Sequence, residues 1–122
     1  MRASEAKVLL MKRKLKEFPI DWSIDGLPEL DGQLSMLEMP MQEIKNASDL
    51  AEGRDGKPDE MLIMAAMIAK ALVSREDKER LYTDNELEQI TAWGAMVMKP
   101  LAELAAKASG LDKEAAENAK KN

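Results

Sequence analysis

Every position from Met61 to Ala69 is apolar, and only Lys70 interrupts the run before Ala71, Leu72 and Val73. A helix that is apolar around its whole circumference belongs in an interior. The run is shorter than the roughly 20 residues that a membrane span needs. Pro58 suits a first helical position, where its missing N–H costs no hydrogen bond. Asp59 and Glu60 put negative charge in the first turn, where the helix dipole favours it. The pattern predicts a central helix from Pro58 to near Ser74, with the rest of the chain arranged on it.

On the N-terminal side, Ser4 can cap a helix over residues 5–16, with Val8, Leu9, Leu10, Met11 and Leu15 as a short apolar stripe. The period then changes. Phe18, Ile20, Trp22 and Ile24 alternate with Pro19, Asp21, Ser23 and Asp25, the pattern of a half-buried strand. Pro19 cannot donate to a ladder, which predicts an edge strand. Asp25-Gly26 and Asp31-Gly32 are turn signals around a loop, and Leu34 and Met36 resume an extended pattern. The expectation is a β-hairpin of residues 17–24 and 33–38, which must lie on helices because a lone hairpin is marginal. Pro40 opens a helix over residues 41–52. Gly53-Arg54-Asp55-Gly56-Lys57 then breaks it, as a plain connector or as a loop that orders on binding.

On the C-terminal side, residues 75–80 (REDKER) read as a charged connector. Thr83-Asp84-Asn85-Glu86 has the form of a capping box. Leu87, Ile90, Gly94, Val97, Leu101, Leu104, Ala108 and Leu111 then fall at spacings of three and four, one seam of a long helix. Gly94 would permit close approach of another backbone. Pro100 predicts a kink or a break. Ser109-Gly110 ends the helix, and Asp112 can cap a final short helix through about Ala119. The resulting expectation is a mainly α single domain over residues 1–122, with four to five helices and an N-terminal β-hairpin. Its parts are a basic helix (1–16), the hairpin (17–38) and a helical core with C-terminal helices (41–120).

Composition narrows the chemistry. The 122 residues include no Cys and no His, so disulfides, thiol chemistry and the usual neutral-pH acid–base group are missing. No Gly-rich phosphate loop follows a strand, and no HExxH or GxSxG motif occurs. Carboxylate pairs such as Asp84 and Glu88 read as solvated groups, and Asp21, Asp25 and Asp31 lack the layout of a calcium loop. Trp22 and Trp93 read as structural aromatics. The expectation is a protein with no catalytic residue, no metal site and no cofactor.

Charge is distributed unevenly. Residues 1–16 carry a net +5, whereas the remainder of the chain carries −10, for a total of −5. The acidic total argues against nucleic acid as the main partner. The basic start is either a solvated helix face or a docking arm for an acidic partner. Val8 to Met11 is too short an apolar stretch for a signal peptide, so a soluble, intracellular protein is expected. Methionine is abundant, at ten residues, and suits both irregular cores and adaptable surfaces. Met36, Met39 and Met41 cluster around Pro40, and with Lys12, Arg13 and Lys14 they form the candidate protein-binding set. A weak homo-oligomer is also open.

Residues 81–122 read LYTDNELEQITAWGAMVMKPLAELAAKASGLDKEAAENAKKN. An aromatic precedes a Thr-Asp start, a long amphipathic helix follows, then Ser109-Gly110-Leu111 and an Ala/Glu-rich end in Lys121-Asn122. In this order the stretch resembles the tail assembly chaperones of long-tailed (siphovirus-type) bacteriophages. Pro100 departs from the pattern, in which that helix is uninterrupted. The resemblance implies a non-enzymatic role: binding the tape measure protein, keeping it soluble, and helping to recruit major tail protein in the host bacterial cytoplasm. The chaperone would be absent from the mature virion. It also implies a programmed frameshift at Lys120-Lys121-Asn122, whose codons can form an unbroken run of adenines. Neither nucleic acid nor a membrane is expected as a partner. The alternative is a small helical regulatory adaptor, an antitoxin-like or anti-sigma-like protein-binding module.

Overall fold

The computed structural model describes residues 1–21, 27–52, 56–57 and 59–111. Among them the elements run α1 (Ala3–Lys12), β1 (Glu17–Pro19), β2 (Leu34–Leu37), α2 (Met41–Leu50), α3 (Glu60–Ala71), β3 (Leu72–Ser74), α4 (Leu87–Thr91) and α5 (Ala95–Ala108), with a 3-10 turn at Pro28–Leu30. The expected mainly α fold is corrected by the sheet. Three antiparallel strands, in the order β1-β2-β3, make the architecture mixed α and β, although the strands are few.

The extra strand comes from the end of the apolar run. The helix α3 starts where Asp59 caps it, its carboxylate accepting from the N–H groups of Met61 (2.9 Å) and Leu62 (3.3 Å). It stops at Ala71 instead of continuing to Ser74. Leu72 adopts an extended conformation and the chain enters β3 with no intervening loop. Leu72 pairs with Met36, Val73 with Ser35 and Ser74 with Leu34. A short apolar run satisfies a buried helix and a buried strand equally, so composition did not mark the change. Residues 75–80 form a tight turn, not a spacer. Ser74 N–H donates to the Glu79 carbonyl at 2.9 Å, Val73 bridges to Arg80, and Lys78 takes the left-handed conformation with φ 62°.

β1 pairs with β2 from Glu17↔Leu37 to Pro19↔Ser35, and Ile20 N–H extends the ladder to the Leu34 carbonyl at 3.0 Å. Pro19 stands in an edge strand, where it forfeits no ladder bond. The predicted continuation through Trp22 and Ile24 lies outside the described residues, as do Pro58, most of the 53–57 connector, the helix expected over 112–119 and the Lys120-Lys121-Asn122 end.

The long C-terminal helix is also corrected. It breaks at Trp93 and Gly94, six positions before Pro100, and the N–H groups of Val97 and Met98 both donate to the Gly94 carbonyl at 3.0 Å. Pro100 sits inside α5, where the carbonyl it leaves without a helical partner belongs to Met96, a residue exposed to solvent. A Cβ added at Gly94 would meet nothing within 4 Å, so this glycine does not serve a close backbone approach. The capping-box residues form a turn ahead of the helix. Glu86 N–H donates to the Thr83 carbonyl, Thr83 N–H donates to Glu86 Oε1 at 2.7 Å, and α4 begins only at Leu87. At the far end Gly110, with φ 74°, closes α5: its N–H reaches the Lys107 carbonyl and Leu111 N–H reaches Ala106 at 2.7 Å.

α3 is the hub. It packs against α2, α4 and α5, and α5 lies on the central strand β2. Met36, Ile68, Leu72, Ile90 and Leu101 are the large side chains sealed between these elements.

Candidate functional site

α1 is built differently from the other long helices: none of its residues is buried. Successive helical residues are rotated by about 100°. The four consecutive residues Val8, Leu9, Leu10 and Met11 therefore circle the axis, and no single packing face could hide them all. All four are exposed, Leu10 at 74% and Met11 at 80%. Basic residues stand on both sides of this apolar band, Arg2 and Lys7 before it and Lys12, Arg13 and Lys14 after it.

One fork anchors the segment to the sheet. Arg13 Nη1 and Nη2 donate to the two carboxylate oxygens of Glu38 at 3.1 and 2.8 Å. The Lys16 N–H donates to the same carboxylate at 3.1 Å, and the Glu38 N–H returns to the Lys16 carbonyl at 2.8 Å. The Arg13 guanidinium and the Lys16 N–H hold the Glu38 carboxyl below the usual carboxylate range, and Glu38 in turn raises Arg13. Beyond the fork, Leu15 and Phe18 continue the exposed apolar surface onto the edge strand.

The structure divides the predicted binding residues. Lys12 and Lys14 are exposed and have no ion-pair partner among the described residues, whereas Arg13 is committed to Glu38. Met41 is 79% exposed at the start of α2. Met36, at 0%, and Met39, at 4%, are core residues and present no surface. Met36 lies on the middle strand beneath the helices, and the Met39 N–H is tied to Ser109 Oγ at 2.9 Å. Sequence reasoning did not single out Val8 to Met11 and Phe18. The available signal was an apolar cluster lacking a helical period between basic residues.

A second polar assembly joins three elements. Lys70, the one charge in the apolar run, has a side chain only 5% exposed. Its Nζ meets Glu43 of α2 at 2.8 Å and Asp84 at 2.9 Å, and Asp84 also takes Arg80 Nη2 at 2.7 Å. Arg80 Nε donates to the Ala69 carbonyl at 2.7 Å. Asp84 is thus a structural acceptor, not the solvated carboxylate expected beside Glu88. Burial pulls the Lys70 ammonium down, but the bonds to Glu43 and Asp84 outweigh it and leave it raised. Lys70 lowers Glu43, and Arg80 followed by Lys70 lowers Asp84.

An apolar cavity of about 280 Å³ lies between the sheet and α5, among Leu30, Leu34, Leu72, Tyr82, Trp93 and Val97. Tyr82 and Trp93 meet edge to face there, with ring centroids 5.5 Å apart. Its lining offers packing and no acid–base pair. Among the described residues, no group of three His, Cys, Asp or Glu side chains could hold a metal ion, and no helix is long and apolar enough to cross a membrane. No protein-family model, no curated protein and no solved structure matches the chain.

Proposed function

We propose that this chain is a non-enzymatic assembly chaperone of the phage tail type. In this reading it binds the tape measure protein in the host bacterial cytoplasm, keeps that long helix-rich protein soluble, and helps recruit major tail protein. The observation that carries the reading is α1, a helix whose apolar band is exposed on every side and flanked by cations. A helical client with apolar stripes and acidic neighbours can cover such a band, helix against helix. Supporting it are the resemblance over residues 81–122 and a site whose described residues offer packing and ion pairing.

The test is co-expression with a candidate tape measure protein, a long helix-rich chain from the same genome, followed by a pull-down. The full chain is expected to hold that protein in the soluble fraction, and a Leu9→Glu, Leu10→Glu double variant is expected to lose it. Exposure of both positions means the variant keeps its fold. A client that stays insoluble with the full chain, or is captured equally by the double variant, counts against the reading.

A further inference from the structure

The same chain carries a surface complementary to α1. The C-terminal end of α2 and the N-terminal end of α3 lie side by side, joined where the Asp59 N–H donates to the Ala51 carbonyl at 3.0 Å. This end exposes Asp49, Glu52, Asp59 and Glu60, against Lys57 as the one cation among its described residues. Leu50 and Met61 stand exposed among the carboxylates. It is an acidic surface with apolar points, and α1 is a basic helix with an apolar band.

We propose that α1 docks on this acidic end of a second copy of the chain. Charge decides the occupant. Residues 1–16 carry +5 and the remainder −10, so two copies of α1 repel one another while α1 and the body of another copy attract. A flat anionic bilayer can cover only one side of a helix, which leaves part of the band from Val8 to Met11 in water. The acidic end offers opposite charge together with the exposed apolar side chains of Leu50 and Met61. Contact between unlike surfaces either closes into a pair, when each copy lends its α1 to the other, or continues head to tail. The pairing needs no other protein, but it occupies the α1 band that the function proposed above gives to the client, so pairing and client capture compete for one helix.

Sedimentation velocity of the purified full chain over a wide concentration range tests it. At about 50 mM NaCl the mass is expected to rise above that of the monomer, and about 500 mM NaCl is expected to weaken association roughly tenfold or more by screening. Lys12→Glu with Lys14→Glu should weaken association to a similar degree, and so should Asp49→Lys with Glu52→Lys. All four positions are exposed, so circular dichroism should be unchanged. Mixing the two charge-reversed proteins restores both complementary contacts, the reversed α1 on the reversed end and the native α1 on the native end. Combining the four substitutions in one chain does the same, so the mixture and the four-fold chain should both associate again. A mass that stays monomeric at every concentration in low salt overturns the proposal. So does association that ignores both reversals, or a four-fold variant that fails to recover.

Discussion

At the scale of single residues, Lys70 shows how a charge survives in an apolar helix. Its ammonium is buried, but two carboxylates and their water-facing sides complete its surroundings. Replacing it with Met would keep the packing of the stem and leave Glu43 and Asp84 facing each other. A buried pair broken on one side typically costs about 3–5 kcal/mol. Here the two carboxylates are 39% and 38% exposed, so screening reduces the expected loss for Lys70→Met to about 1–2 kcal/mol. Urea unfolding at pH 7 measures it, and a variant as stable as the parent would show that the network adds nothing.

The sign of the pH dependence follows from the same contacts. Glu43 and Asp84 are lowered, so their contribution is complete above ordinary carboxylate pKa values near 4 and fades as pH falls through the lowered ones. Lys70 is raised, so its contribution is complete below about 10.4 and fades as pH rises through the raised value. Stability should therefore form a plateau from about pH 5 to 10. Lys70→Met should shrink the acid limb without removing it, since Arg80 still holds Asp84. Unfolding midpoints measured from pH 3 to 8 would show an unchanged acid limb if Lys70 were not the partner that matters.

At the scale of elements, two glycines that look alike in sequence part company. Gly110 has φ 74° and closes α5, while Gly94 has φ −67° and precedes it. Neither would place a Cβ within 4 Å of another atom, so only backbone conformation separates them. Gly110→Ala is expected to cost about 1–2 kcal/mol for the left-handed turn, whereas Gly94→Ala should change stability by less than about 0.5 kcal/mol. Thermal unfolding of the two variants side by side is the check, and equal losses would contradict the assignment. α1 makes the same kind of contrast with α3. Removing residues 1–12 keeps the Arg13–Glu38 fork and uncovers no core, so stability should shift by less than about 1 kcal/mol.

These elements also show where the chain was readable in advance. Pro19 placed β1 at a sheet edge because a missing N–H has few other positions in a sheet. The apolar run from Met61 marked the hub because no helix face there is polar. The switch at Leu72 was hidden because Leu-Val packs equally well on a helix or a strand, and only the pairing with β2 selects the strand. Of the kink or break expected at Pro100, the break falls at Gly94, and Pro100 stands inside α5, where its freed carbonyl can reach water. For the candidate site, the cations near Lys12 were legible. The burial of Met36 and Met39 was not, since thioether side chains suit core and surface equally.

At the scale of the whole molecule, the fold depends on one helix that touches nearly everything. α3 packs on α2, α4 and α5 and runs directly into β3, so loosening it should loosen helices and sheet together. Ile68 is fully buried on that helix. Ile68→Ala removes most of a core side chain and leaves a cavity, a loss of about 2–5 kcal/mol. Domains of this size hold only about 5–15 kcal/mol in all. The variant should therefore unfold at a distinctly lower temperature, with the far-ultraviolet helix signal and the tryptophan fluorescence moving together. Leu10→Ala, on the exposed band of α1, deletes a similar volume but should leave both signals where they were, because that volume never left water. Separate transitions for the two signals in Ile68→Ala would show that the surroundings of Trp93, between α4 and α5, unfold independently of the rest of the helices. A Leu10→Ala loss as large as that of Ile68→Ala would mean that α1 packs on the body and is not available to a partner.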